Sequence, residues 1–125
     1  MKRGSRLSRS RDFEAVFRQG RSVSSRYLVL YSFSRPADDT LAADATRLGL
    51  AVSRKLGNAV TRNRVKRLLR EAFSDMAGDV PPGHDYVLIV RPGLAETAEA
   101  RGADWLAARV SEVFRDAQPR SGAAR

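Results

Sequence analysis

The chain has 125 residues and carries 23 Lys+Arg against 14 Asp+Glu, a net charge of +9. That length fits one domain with one core, and 42% apolar content excludes a wholly disordered basic chain. No stretch approaches the ~20 apolar residues of a bilayer span, no secretory signal is readable, and zero cysteines exclude thiol catalysis and disulfides.

In chain order, the first eight residues are basic and expected to be flexible. Ser10 reads as a helix N-cap, with Asp12 and Glu14 in the first turn, where the helix dipole favours acids. Phe13, Val16 and Phe17 then follow at helical spacing, and Gly20 suits a left-handed C-terminal cap. A helix over 10–19 is expected. Residues 26–33 alternate as a strand, with Tyr27, Val29, Tyr31 and Phe33 on one face and Leu28 and Leu30 on the other. Residues 35–46 form a polar connection, and 47–53 a second strand. Leu56-Gly57-Asn58 marks a turn before a helix starting near Val60, whose Val65, Leu68, Leu69, Ala72, Phe73 and Met76 make a buried stripe. Tyr86-Val87-Leu88-Ile89-Val90 is unbroken apolar, the pattern of a central strand covered on both faces. A last helix is expected over 103–117, then a tail.

The charge is unevenly placed. Residues 1–35 hold nine basic and two acidic side chains, and residues 54–71 hold seven basic and one acidic, so these blocks contribute +7 and +6. In the second block Arg62, Lys66 and Arg70 stack at i, i+4, i+8 of the expected helix, with Asn63 and Arg67 beside them. Like charges at that spacing repel, and cations in the first turns oppose the helix dipole. A bound phosphate reverses both costs, so the helix is expected to face an RNA or DNA backbone. In the first block Phe13, Phe17 and Tyr31 could line a stacking groove bordered by Arg11, Arg18 and Arg26.

The other polar residues build no chemistry. His84, expected in a loop, has no second His or Cys to share a metal. The carboxylates are scattered, without the compact pairing of two-metal phosphoryl chemistry. No nucleotide-binding or nucleophile motif occurs. A membrane-surface role is disfavoured because the basic blocks flank strands rather than form one long amphipathic helix.

The run Lys55-Leu56-Gly57-Asn58-Ala59-Val60-Thr61-Arg62-Asn63-Arg64-Val65-Lys66-Arg67 resembles the Arg-Asn-Arg signature, with its flanks, of the protein subunit of bacterial ribonuclease P. Asp12-Phe13, Val16-Phe17, Gly20, Arg26 and Val29-Leu30-Tyr31 are similar to that family's amino-terminal pattern. The resemblance, over about 7–117, implies one α+β domain in the order α-β-β-(β)-α-β-α. Its mixed sheet would have a left-handed β-α-β crossover, similar to the ribosomal protein S5 domain 2-like fold. The general handedness rule alone would favour the opposite hand.

The resemblance further implies a cytoplasmic endoribonuclease holoenzyme in which RNA, with Mg2+, removes the 5′ leader of precursor tRNA. This chain would then bind no cofactor and hold no catalytic residue. Arg54, Lys55, Asn58, Arg62, Asn63, Arg64, Lys66, Arg67 and Arg70 would contact ribonuclease P RNA. Phe13, Phe17, Tyr31, Arg11, Arg18 and Arg26 would hold the single-stranded leader. The domain would span 9–117, between flexible segments at 1–8 and 118–125. The rival expectation is a structural RNA-binding protein of ribosomal or RNA-chaperone type, which composition alone does not separate.

Overall fold

The apolar run at 86–90 lies where a strand has most cover. In the computed structural model, which describes residues 6–35, 46–81 and 83–117, it forms most of strand β4 (His84–Val90). With β1 (Arg21–Ser24), β2 (Leu28–Ser34) and β3 (Arg47–Ala51), this strand builds a four-stranded sheet in the order β1-β2-β4-β3. β2 runs antiparallel to β4, with Leu30 opposite Leu88, and β3 runs parallel to it, with Leu50 opposite Leu88. Parallel neighbours need a crossover, which helix α2 (Ala59–Met76) supplies. The other helices are α1 (Ser10–Gln19), α3 (Leu94–Arg101) and α4 (Ala103–Ala117).

Strand alternation sorts the side chains into two layers. Leu28, Leu30, Leu48, Tyr86, Leu88 and Val90 face α2 and α4, whose Val65, Leu69, Phe73, Leu106, Val110 and Phe114 complete the main core. The opposite face carries Val87, half-buried Tyr31, Phe33 and Ile89, and the backbone of Gly49. Among the described residues, α1 and Leu7 cover it, through Val16 and Phe13. Four strands span roughly 19 Å and one helix about 10 Å, so α1 by itself does not span this face.

Several boundaries differ from expectation. The strand expected from residue 26 starts at Leu28, because a tight turn precedes it in which Ser25 Oγ accepts the Leu28 N–H at 3.2 Å. Tyr27 therefore leaves the Tyr31 face and packs edge-on against Trp105, at 4.9 Å between ring centroids. β1, with Val23 as its only apolar residue, gives no periodic signal of its own. α3 was likewise illegible, because its inward face is mostly alanine. His84, expected in a loop, opens β4 and stacks on Tyr86.

The expected caps of α1 differ too. Arg9 stands at the N-cap without a side-chain hydrogen bond, and Ser10 is the first helical residue. Gly20 is extended, at φ −81°, not left-handed. Glycine is needed there for space, since a β-carbon would lie 2.5 Å from the Val16 carbonyl oxygen and 2.6 Å from that of Ser32. In α2, Val65, Leu69, Ala72 and Phe73 are buried as expected, while Leu68 and Met76 are partly covered.

Residues 36–45 of the connection expected at 35–46, the tail at 118–125 and residues 1–5 lie outside the described residues. At the described end of the amino-terminal segment, Arg6 pairs with Leu48 as a parallel bridge, the Leu7 N–H donates to the Leu48 carbonyl at 2.9 Å, and Leu7 is buried.

Candidate nucleic-acid interface

The start of α2 is fixed by a 3-10 turn, a glycine and an asparagine cap. β3 ends in a single 3-10 turn (Arg54–Leu56), where Ser53 Oγ accepts the Lys55 N–H. Gly57 follows at φ +142°, a conformation that L side chains rarely adopt. Asn58 is the N-cap, its Oδ1 accepting the Thr61 N–H at 2.9 Å. Arg62 Nε donates to the Gly57 carbonyl at 3.2 Å, so this arginine also ties the turn to the helix. The first turn contains no acid to offset the dipole.

Burial divides the basic residues of α2 into two rows. Arg62, Lys66 and Arg70 are partly covered and flank the apolar stripe, whereas Asn63, Arg64 and Arg67 point outward and are exposed. Val60 joins this outer row and is 68% exposed, a placement that its apolar character hid from sequence reading. Arg54, Lys55 and Asn58 are exposed just before it. The structure thus collects all nine residues expected at the RNA subunit on one element and its entry turn. Burial, and then the positive charge of Arg6, pull the Arg70 guanidinium below its ordinary pKa.

The second surface lies across the sheet. Phe13 and Phe17 are one turn apart on α1, with ring centroids 6.2 Å apart, and Phe17 meets Tyr31 edge-on at 5.0 Å. Phe17 is 42% exposed and Tyr31 half-buried, so a partly open aromatic wall rises over the sheet face. The expected basic border is looser. Arg18 is exposed on the next helical position after Phe17. Arg11 lies two positions from Phe13, about 200° around the helix, on the side turned from the sheet. Arg26 sits 5.4 Å from the centroid of the Tyr27 ring, in the β1–β2 turn, towards Trp105 rather than Tyr31.

Sequence reading missed the group that fixes α1 at one end of this face. Asp85, 3% exposed, receives Arg47 Nε at 2.8 Å and Nη2 at 2.6 Å, and Arg35 Nη1 at 2.9 Å. Arg47 Nη1 also reaches Asp12 of α1 at 3.3 Å. The partners are 35 to 50 residues apart, so no local pattern announces them. Gly49 was missed as well, although a glycine inside a strand signals close approach of another group.

Fold and site together define a class: a small α+β protein with one basic helix and one partly exposed aromatic cluster on opposite sides of a sheet. Among the described residues no group of three or more His, Asp or Glu is placed to hold a metal, and no helix is long and apolar enough to cross a membrane.

Comparison with known proteins narrows the class to a family. The family model described as Ribonuclease P matches residues 1–118. The ribonuclease P protein component of Brevibacillus brevis is 48% identical over 101 residues, covering 80% of this chain and 76% of the relative. That of an Exiguobacterium species is 50% identical over 93 residues, 73% of this chain and 74% of the relative. The solved ribonuclease P protein from Thermotoga maritima superposes with a TM-score of 0.78 at 32% identity, covering 91% of this chain and 98% of that one.

The chain belongs to the ribonuclease P protein family. It is a subunit of an endoribonuclease that works as a ribonucleoprotein in tRNA 5′ processing, and catalysis by the RNA partner accords with the family. The ribosomal or chaperone alternative is not favoured.

Proposed function

We propose that this subunit holds two RNA segments on opposite faces of its sheet. The ribonuclease P RNA lies along the outer row of α2 and its entry turn, and the single-stranded 5′ leader of precursor tRNA lies in the cleft between α1 and the sheet. The observation that carries this reading is Phe17, held edge-on by Tyr31 at 5.0 Å yet 42% exposed. A nucleobase stacked there removes that apolar surface from water and gains about 1–3 kcal/mol whatever its sequence. On α2, phosphates neutralise the like-charge repulsion of Arg64 and Arg67, three positions apart on the outer row, and meet the N–H groups at the helix start.

The protein's contribution is binding and position. It anchors the leader while the RNA, with the Mg2+ that the reaction is expected to use, acts on the scissile bond. No general base from this chain enters the scheme. The work belongs in the cytoplasm, where precursor tRNA is processed.

The test is to reconstitute the full-length protein with ribonuclease P RNA and measure the affinity of precursor tRNA and of mature tRNA with and without the protein. The protein should raise affinity for the precursor selectively, and progressive shortening of the leader should erase the difference. An equal gain for both ligands would overturn the leader assignment.

A further inference from the structure

Arg67 and Arg70 of α2 do not stand alone. They share a cavity of about 330 Å³ with Arg6, together with Glu71, Ser74 and Asp75. Arg6 reaches it because residues 6 and 7 add to the free edge of β3: Arg6 pairs with Leu48 and the Leu7 N–H donates to the Leu48 carbonyl. Extended backbone alternates its side chains between the two faces. Arg6 thus falls on the same side as Leu48, towards α2, and Leu7 on the opposite side with Val16 and Val87.

Three guanidinium groups therefore converge from two separate segments. None of the ion pairs among the described residues involves them, although Glu71 and Asp75 border the same cavity. Along α2 the two arginines come first, at 67 and 70, and the two carboxylates follow at 71 and 75. The lining carries a net single positive charge. An RNA phosphodiester carries one negative charge and two free oxygens, the shape that planar guanidinium forks grip.

We propose that Arg6, Arg67 and Arg70 form one pocket for a backbone phosphodiester of the RNA subunit, with the Ser74 hydroxyl as a further donor. The proposal rests on the reading that α2 faces that RNA, and adds to it a residue outside the Arg-Asn-Arg segment. It also gives the amino-terminal segment a role. A phosphate in the pocket pins Arg6 to α2, and through the next residue pins Leu7 beneath Phe13 on the leader side. One dipeptide thereby joins the two RNA surfaces across the sheet edge.

The test uses the full-length protein and ribonuclease P RNA without precursor tRNA, so that leader contacts play no part. Arg6→Ala should weaken assembly about tenfold, the loss expected for one charge-assisted contact. It should also make the log–log salt slope shallower by close to one. Because Arg6 and Arg67 share a phosphate, the double variant Arg6→Ala/Arg67→Ala should lose less than the product of the single losses. Arg6→Lys should recover only part of the affinity, since a point charge replaces the fork.

Thermal melting of each free variant separates binding from folding. The backbone bridge at residues 6–7 does not need the arginine side chain, so Arg6→Ala should melt close to the unsubstituted protein. Unchanged assembly in Arg6→Ala alongside weakened assembly in Arg64→Ala overturns the pocket and leaves the α2 reading intact. No loss in any of the three single variants overturns that reading itself. Fully multiplicative losses for Arg6 and Arg67 also overturn the shared phosphate.

Discussion

The ring of Phe13 occupies the space that a side chain on Gly49 would need: a β-carbon at Gly49 would lie 2.6 Å from Phe13 Cζ and 3.1 Å from Leu7 Cβ. The absence of a side chain in the middle of β3 is what lets α1 settle on the sheet and stand Phe17 at the margin. Gly49→Ala forces the ring outward, with an overpacking cost of about 1–3 kcal/mol. Thermal denaturation should show a midpoint several degrees lower, and the selectivity of the holoenzyme for precursor over mature tRNA should fall with it. An unchanged midpoint would show that α1 accommodates the methyl group.

Phe17→Ala makes the complementary experiment. Val16, the neighbouring residue, is fully buried and anchors the helix, whereas Phe17 remains 42% exposed, so little packing is lost on truncation. Stability should drop by less than about 1 kcal/mol, while a lost stacking platform costs about 1–3 kcal/mol of precursor affinity. Calorimetric melting and competition binding of the two tRNA forms measure these separately. A stability loss as large as that of a buried phenylalanine, with both tRNAs affected alike, would make Phe17 a core residue.

The contrast between these residues marks what the sequence could reveal. Long periodic elements were legible because burial of one face imposes the period: α2, α4 and the unbroken β4 stand where their apolar residues placed them. The basic block on α2 was legible because its charge opposes local physics. β1 and α3 were not, because four polar-rich residues or a face of alanines carry no period. Tyr27 misled because alternation assigns faces only within a strand, and the Ser25 turn starts the strand two residues later. Nor did sequence reveal the Asp12–Arg47–Asp85–Arg35 chain, whose Arg47 and Asp85 meet only after β3 and β4 pair, or the Arg6 pocket, which needs Arg6 on the free edge of β3.

On α2 two neighbouring roles can be separated. Asn58 caps the helix through its 2.9 Å bond from the Thr61 N–H, and Asn58→Ala should cost about 1 kcal/mol of stability. Arg64 is exposed on the outer row, and Arg64→Ala should leave the melting midpoint in place while weakening assembly with the RNA. For about five neutralised phosphates the slope of log K against log salt lies near −4, and Arg64→Ala should make it shallower by close to one. Salt titration of assembly checks this, and a slope near zero in the unsubstituted protein would remove the electrostatic account.

Asp85 tests how firmly the sheet holds α1. Its carboxylate is 3% exposed and receives both Arg35 and Arg47, the latter through two hydrogen bonds at 2.8 and 2.6 Å. Arg47 in turn contacts Asp12 on α1, so one buried acid secures the cation that joins helix to sheet. Burying a bidentate pair brings little net gain over an apolar pair, but removing one member strands buried charge. Asp85→Ala should therefore cost about 3–5 kcal/mol, more than any surface change on α2. Asp85→Asn, which keeps the shape and one acceptor, should cost less. Urea unfolding of the full-length variants orders these losses. Leader selectivity in folded Asp85→Asn reports whether α1 has shifted, because a helix freed from Arg47 no longer holds Phe17 against Tyr31. Equal stability of Asp85→Ala and the unsubstituted protein would mean that apolar packing alone positions α1.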